Sequence, residues 1–205
     1  MSLKAGVVPQ RRRGAALEAA LLDAAWAEVT ETGYDAFTID AVAARAGTSR
    51  AVLYRRWPGK QELVHAAIVH AVGRDPVIPA DTGSLRGDVI AMLRQANERR
   101  VRLATHLLTR LGDFYRATGT TLDDLATITQ GGRKSLMDNI IQRAIARGEV
   151  LPGQISDRIA RLPGDLFRYE LMWTLQPLSE EAIEEIVDTI FLPLVHWNSG
   201  RRTPD

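Results

Sequence analysis

The residues best suited to bind another molecule form a cationic stretch in the N-terminal part of the chain. Residues 41–61 include no acid, and their basic side chains are Arg45, Arg50, Arg55, Arg56 and Lys60. Guanidinium and ammonium groups bind phosphate oxygens, and an arginine can also donate two hydrogen bonds to one guanine. The stretch is therefore a candidate surface for nucleic acid.

The pattern around these cations predicts two short helices joined by a tight turn. Thr38 can cap the first helix through its hydroxyl, and Gly47 can end it in a left-handed conformation. Thr48 or Ser49 can cap the second helix, which Pro58 ends. The apolar residues of the first helix follow the i, i+3, i+4, i+7 spacing of one face: Ile39, Val42, Ala43 and Ala46. A helix–turn–helix with a cationic second helix is typical of proteins that read the DNA major groove.

Individual roles follow from side-chain chemistry. Arg50 and Val52, early in the second helix, are expected to meet base edges, since arginine can pair with guanine and valine can contact a thymine methyl. Arg55 and Arg56 could contact either bases or phosphates. The remaining polar residues are expected to contact phosphates: Thr38, Thr48, Ser49, Tyr54 and Lys60.

Taken alone, each of these polar residues would more simply be a solvated surface position that contacts no partner. Their coincidence with a cap, an apolar stripe and a glycine turn favours the DNA interpretation. Ala46, Leu53 and Trp57 are predicted to hold the two helices together.

Composition and charge agree with this interpretation. Residues 1–74 carry 10 basic against 7 acidic side chains, and residues 75–205 carry 16 against 18, so the positive excess lies with the candidate DNA surface. The chain contains no cysteine, which excludes disulfides, thiolate zinc sites and thiol catalysis. No signal-peptide core or membrane-spanning apolar run is evident, and we expect a cytoplasmic protein without membrane contact.

The fold class predicted from periodicity is all-α with two domains, because no stretch alternates with a period of two. Residues 1–14 are expected to be a disordered basic arm, either solvated or in contact with DNA. Residues 15–73 are predicted to form a three-helix helix–turn–helix domain, and the Pro/Gly-rich residues 73–83 the junction. Residues 84–197 are predicted to be a larger helical domain, followed by a flexible tail at 198–205.

The helices of the larger domain are predicted from caps and breakers. One begins after Ser84, a second spans about 102–117, and a third runs from about 120 to Gly148. A fourth covers 157–175, with a kink or break expected at Pro163.

Ser179 caps the final helix, whose wide apolar face could be buried in the same subunit or form a symmetric dimer interface. Because DNA is the expected target, we favour the dimer. The predicted interface residues are Leu166, Trp173, Ile183, Ile186, Val187, Ile190, Phe191 and Leu194.

No residues with a catalytic arrangement are evident. His65 and His70 are five apart, not at the i, i+4 spacing of a helical metal pair, and no other acid–histidine cluster has ligand spacing. Gly131–Gly132 follows no predicted strand, so it is not a phosphate loop. We expect no enzyme activity, no metal and no cofactor.

The stretch from Gly33 to Leu63 resembles the DNA-binding signature of the tetracycline-repressor (TetR) family of bacterial regulators. The matching residues are Gly33–Tyr34, Thr38–Ile39, Val42–Ala43, Ala46–Gly47, Leu53–Tyr54, Trp57 and Lys60. Arg55–Arg56 depart from the aromatic–histidine pair that the family often has there, so its operator preference does not carry over.

The resemblance implies a homodimer on a palindromic operator and a repressor released when a small molecule enters the larger domain. The effector is expected to be apolar or aromatic. The residues proposed to line its cavity are Met92, His106, Leu107, Arg110, Leu111, Phe114, Met137, Ile141, Phe167, Arg168 and Tyr169. The alternative is a helical ligand-binding or scaffolding protein without specific DNA binding.

Overall fold

A computed structural model describes residues 14–74, 76–78, 80–121, 124 and 136–199. Throughout these ranges the regular structure is helical, which confirms the all-α prediction. The chain divides between Ala71 and Val72 into two compact units. Among the described helices, none is both long enough and apolar enough to cross a bilayer.

The N-terminal unit consists of α1 (Ala15–Thr32), α2 (Ile39–Arg45), α3 (Arg50–Tyr54) and α4, which runs from Lys60 to Gly73. Its core is formed by side chains at helical spacing on each element. Fully buried members include Leu21, Val29, Val42, Leu53, Leu63 and Ile68. Phe37 and Tyr34, from the segment between α1 and α2, are also buried in this core.

Two polar contacts fasten other helices to α1. Arg45 at the end of α2 forms ion pairs with Glu28 and Glu31, and its Nη2 lies 3.0 Å from Oε2 of the buried Glu28. On α4, His70 Nε2 lies 2.9 Å from Asp23 Oδ1. Because α3 follows α2 directly, the Arg45 contacts help to fix the position of the helix–turn–helix.

The second unit contains α5 (Leu85–Arg110), α6 (Gly112–Thr118), α7 (Leu136–Ala146) and α8 (Asp157–Thr174). It continues with α9 (Glu180–Glu185), a π-helical segment (Ile186–Phe191) and α10 (Leu192–Ser199). Its core includes Val89, Leu93, Ile140, Phe167, Ile183 and Phe191.

Two expectations about the helices differ from the structure, and a third lies outside the described residues. The helix expected to begin at Arg102 is the continuation of α5, since no glycine or proline interrupts the sequence between Gly87 and Gly112. The start of the expected third helix lies outside the described residues, which resume at Leu136. α8 continues through Pro163, so the break expected there is absent.

The final predicted helix is interrupted by the π-helical segment. The N–H of Leu192 bonds to the carbonyl of Val187, five residues earlier, instead of to the fourth. This wider turn adjoins Pro193, whose lack of an N–H already removes one α-helical hydrogen bond.

Four of the predicted dimer residues lie in the core of this unit instead of on its surface. Ile183, Ile186, Val187 and Phe191 are buried in a single chain, where the π-helical segment packs on α5 and α8. Their side chains therefore have no surface to offer a second copy. Burial within the same subunit, the alternative to a dimer face, holds for these four.

Residues 76–78 and 80–82, which make up most of the expected junction, form a segment bound along α5 and α7. We call this segment the strap. Arg99 Nη1 donates to the Pro76 carbonyl at 3.0 Å, and Gln95 Oε1 accepts from the Ile78 N–H at 3.1 Å. Arg143 donates to the Ala80 carbonyl. Val77 is 5% exposed, so the strap contributes to the core of the second unit.

The last strap residue is held by a buried carboxylate, that of Asp88. Its Oδ1 accepts from the Thr82 N–H at 2.7 Å and from the Thr82 hydroxyl at 2.9 Å. Arg147 donates to its Oδ2 at 3.2 Å, and Arg143 Nη2 lies 3.4 Å from the same oxygen. Burial alone would raise the pKa of Asp88, but these hydrogen bonds and charges hold it below the ordinary value of 3.8.

Candidate nucleic-acid interface

The turn between α2 and α3 has the geometry that its sequence predicts. Thr38 is the N-cap of α2, and its hydroxyl accepts from the Ala41 N–H at 3.2 Å. Gly47 adopts φ +63°, a left-handed conformation that favours glycine. The Thr48 N–H then bonds to the Ala43 carbonyl at 2.9 Å and that of Gly47 to Ala44 at 3.2 Å. These two bonds form a Schellman motif, which closes α2 and sets the start of α3.

α3 presents one face to the core and the opposite face to solvent. Leu53 is fully buried and Trp57, just beyond the helix, is 8% exposed, so both anchor α3 as the sequence predicted. On the outer face Arg50 and Tyr54 are exposed, and Arg55 at the C-cap is exposed with them. A cationic and aromatic surface is therefore held on a fixed helix.

Ser49 is the N-cap residue of α3 by backbone conformation, and its hydroxyl makes no capping hydrogen bond. Thr48, the other candidate cap, lies within the Schellman motif. Ser49 is exposed and Thr48 is half-buried. The exposed Ser49 hydroxyl can therefore donate to an outside acceptor such as a phosphate oxygen.

The cations predicted to contact DNA differ in their surroundings. Arg50 faces the Asp40 carboxylate, with Nε 3.0 Å from Oδ1. Arg56 is half-buried and its Nη1 lies 3.4 Å from the Val52 carbonyl. Among the described residues, Arg55 has no side-chain partner.

Lys60 at the start of α4 is held in place by neighbours. Its Nζ donates to the Asp35 carbonyl at 3.1 Å and lies 4.3 Å from the centre of the Tyr34 ring. Burial raises the pKa of that tyrosine. The ammonium group is thus positioned by a cation–π contact and a carbonyl, with donors remaining for a phosphate.

All nine residues predicted to bind DNA lie on the α2–α3 unit or at the start of α4. Two roles escaped sequence reasoning. The sequence placed Arg45 among the cations of the candidate DNA surface, but its side chain forms ion pairs with Glu28 and Glu31. The sequence also did not indicate that Asp40 would pair with Arg50. The signal for Asp40 was an acid in the first turn of the helix preceding the cationic one.

The proposed effector residues are brought together only in part: Met92, Met137 and Phe167 share one core cluster, and Ile141 packs against it. Arg168 pairs with Asp165, Tyr169 is 57% exposed, Arg110 is exposed and Ile141 is half-buried. The side chain of Leu107 lies outside the described part of the chain. The others, apart from His106, are core residues of less than 9% exposure: Met92, Leu111, Phe114, Met137 and Phe167.

His106 does line an open cleft of about 600 Å³ in the second unit. Asn97 also lines the cleft, and its side chain donates to the Leu178 carbonyl and accepts from the Leu178 N–H, each at 2.9 Å. These bonds hold the loop between α8 and α9 against α5. The remaining lining residues, none of which was predicted, are Glu98, Val101, Thr105, Leu175, Gln176 and Pro177.

Large apolar side chains remain exposed on α8 and α10. On α8 they are Tyr169, Met172 and Trp173, and the two rings pack edge to face at 6.0 Å. On α10 they are Leu194 and Trp197. Of the other predicted dimer residues, Leu166 and Ile190 are half-buried. Trp173, which is 74% exposed, is the predicted interface residue with the most surface to offer.

Comparisons with known proteins agree with the geometry of the helix–turn–helix. Residues 21–67 match the family described as bacterial regulatory proteins, tetR family, and residues 79–190 match the tetracyclin repressor-like C-terminal domain. An uncharacterised HTH-type transcriptional regulator of Mycobacterium tuberculosis is 34% identical over 171 residues, covering 83% of each chain. The DNA-binding transcriptional repressor TetR of Mycobacteroides abscessus is 34% identical over 188 residues, covering 89% of this chain and 96% of that protein.

A solved structure supports the fold. The fatty acid degradation regulator FadR of Bacillus halodurans aligns with a TM-score of 0.60 at 13% identity, covering 95% of this chain and all of that one. Both matched domains, and relatives that align over most of their length, therefore lead to one assignment. The chain belongs to the TetR family of DNA-binding transcriptional regulators.

Proposed function

We propose that this regulator is a repressor that binds a palindromic operator as a dimer, with α3 of each copy in the major groove. The observation that carries the proposal is the outer face of α3, where Arg50, Tyr54 and Arg55 are exposed on a helix anchored by Leu53. An exposed tyrosine and unpaired guanidinium donors suit phosphates and base edges.

The dimer is proposed to form through the exposed apolar side chains of α8 and α10. Aromatic residues are enriched in protein interfaces, and the edge-to-face pair of Tyr169 and Trp173 gives α8 a rigid apolar surface. Two copies related by a two-fold axis would place their α3 helices in successive major grooves, about 34–36 Å apart.

The effector is proposed to bind in the second unit, at the cleft lined by His106. Its lining combines the apolar residues Val101, Leu175 and Pro177 with five polar ones, so a small molecule there could make both apolar contacts and hydrogen bonds. A ligand that prefers one conformation of the α8–α9 loop would shift the dimer toward that conformation, and operator affinity would change with it.

Selection of bound sequences from random DNA duplexes tests the operator proposal. We expect enrichment of one palindrome or near-palindrome with half-sites one helical turn apart. Arg55→Ala should weaken binding to the selected duplex, whereas Arg158→Ala, which removes an equal charge from an exposed position on α8, should not. Selection that enriches no sequence, or equal losses in the two variants, would refute binding through α3.

A further inference from the structure

We infer that Asp40 is a positioning residue that holds Arg50 ready to read one base pair of each half-site. The inference rests on the proposed operator binding and adds to it a residue that is not expected to touch DNA itself. It is based on the one carboxylate that, among the described residues, faces a cation of α3.

The pair links the first turns of the two helices of the motif. Asp40 lies in the first turn of α2, and Arg50 is the first residue of α3. Arg50 Nε lies 3.0 Å from Asp40 Oδ1, and its Nη1 lies 3.4 Å from Oδ2. Nη2 takes no part in either contact. The carboxylate therefore contacts Nε and Nη1 and leaves the donors of Nη2 available.

This arrangement favours base reading over phosphate binding. A free arginine loses much rotamer freedom when it is ordered on DNA, and a partner that already fixes the side chain reduces that cost. The carboxylate also offsets part of the arginine charge, which weakens attraction to phosphates of any sequence. Nη2 keeps its two hydrogen-bond donors for the O6 and N7 acceptors of guanine.

Arg55 provides the contrast within the same surface. It is also exposed, but no described acid faces it, so its full charge is available to the DNA backbone. The two arginines are thus suited to different tasks. Arg50 is suited to reading guanine, and Arg55 to binding phosphate.

A plain surface ion pair is the competing explanation, since both side chains are about two-thirds exposed (66% and 65%). Such pairs contribute little to stability. The two explanations differ in what they predict for DNA. An incidental pair would affect all duplexes alike, whereas a positioning role affects one base pair of the half-site.

The test measures affinities for the selected operator, for operators with each half-site base pair changed in turn, and for an unrelated duplex. We expect Arg50→Ala to lose about 5- to 150-fold of preference at one guanine-containing position. Asp40→Asn should lose about two- to five-fold of the preference at that same position and bind the unrelated duplex at least as tightly as the wild type. Asp40→Asn in the Arg50→Ala background should cause no further loss.

Two controls separate positioning from general effects. Asp40→Glu keeps a carboxylate and is expected to retain most of the preference. Glu18→Gln removes an equal charge from an exposed position on α1 of the same unit and should leave the preference unchanged. Circular dichroism melting of every variant verifies that it is folded.

The outcomes are distinguishable. If the wild type prefers no sequence, both the operator proposal and the role of Asp40 are overturned. If the wild type selects an operator but Asp40→Asn keeps every preference, or changes all duplexes by one factor, only the role of Asp40 is overturned.

Discussion

Replacing Gly47 with alanine tests the turn that sets α3 against α2. Gly47 adopts φ +63°, and a Cβ added there would meet no atom within 4 Å. Steric contact with neighbours therefore contributes nothing, and the whole effect comes from the backbone. A non-glycine residue in the left-handed region costs about 1–2 kcal/mol.

The expected result is a loss of about 1–2 kcal/mol in the free energy of unfolding. For a chain of this size, each kcal/mol lowers the melting temperature by about 2–4 °C, so Gly47→Ala should melt about 2–8 °C lower than the wild type. Gly47→Asn should lose less, since asparagine tolerates this conformation better than alanine. Thermal unfolding followed by circular dichroism measures both.

Gly73 supplies the matched control. It lies at the end of α4, has no positive φ, and a Cβ there would also meet nothing within 4 Å. Gly73→Ala should leave stability unchanged or raise it by up to about 1 kcal/mol, because alanine favours helix. If Gly47→Ala and Gly73→Ala have the same effect, the turn is not left-handed in solution and the argument for the Schellman motif is wrong.

Three further predictions concern charge, assembly and pH. Arg55→Ala and Arg56→Ala should each reduce the slope of log affinity against log salt by about 0.9 if the side chain binds a phosphate, and an unchanged slope in titrations of operator binding would exclude that role. Trp173→Glu should convert the proposed dimer to a monomer in sedimentation velocity, whereas Leu151→Glu, at a similarly exposed position outside α8 and α10, should not; a dimeric Trp173→Glu protein would contradict the proposed interface. Because the folded pKa of Asp88 lies below its ordinary value of 3.8, its contribution is complete above that pH and is lost as the pH falls through the lower folded value. Urea midpoints measured against pH should therefore fall more steeply below about pH 4 in the wild type than in Asp88→Asn, and parallel curves would show that this carboxylate is not the source.

The local features of the helix–turn–helix were predictable because they depend on neighbours in sequence. The Thr38 cap, the Gly47 turn and the burial of Leu53 each follow from residue type and helical spacing, and the structure confirms all three. The ion pair between Arg45 and Glu28 could not be predicted in this way. Its partner Glu28 is 17 residues earlier and is reached only when α1 and α2 pack.

The second unit was less predictable because its long-range contacts decide the structure. The Pro/Gly composition of 73–83 indicated a boundary, but not that Arg99 and Gln95 would bind the strap to α5. The broad apolar face of the last helix correctly indicated that it must be covered. Periodicity does not distinguish a cover provided by the same chain from one provided by a second copy, and Ile183 and Val187 proved to be covered by the same chain.

The π-helical segment has a consequence for how this C-terminus can change length. One residue more than α-helical geometry requires is accommodated between Ile186 and Phe191, so deleting the exposed Thr189 would restore a regular helix without changing the direction in which the following side chains point. Val195 would stay buried in the core, and Trp197 would stay exposed. A single-residue deletion within the regular turns of α10 would instead rotate everything after it by about 100°.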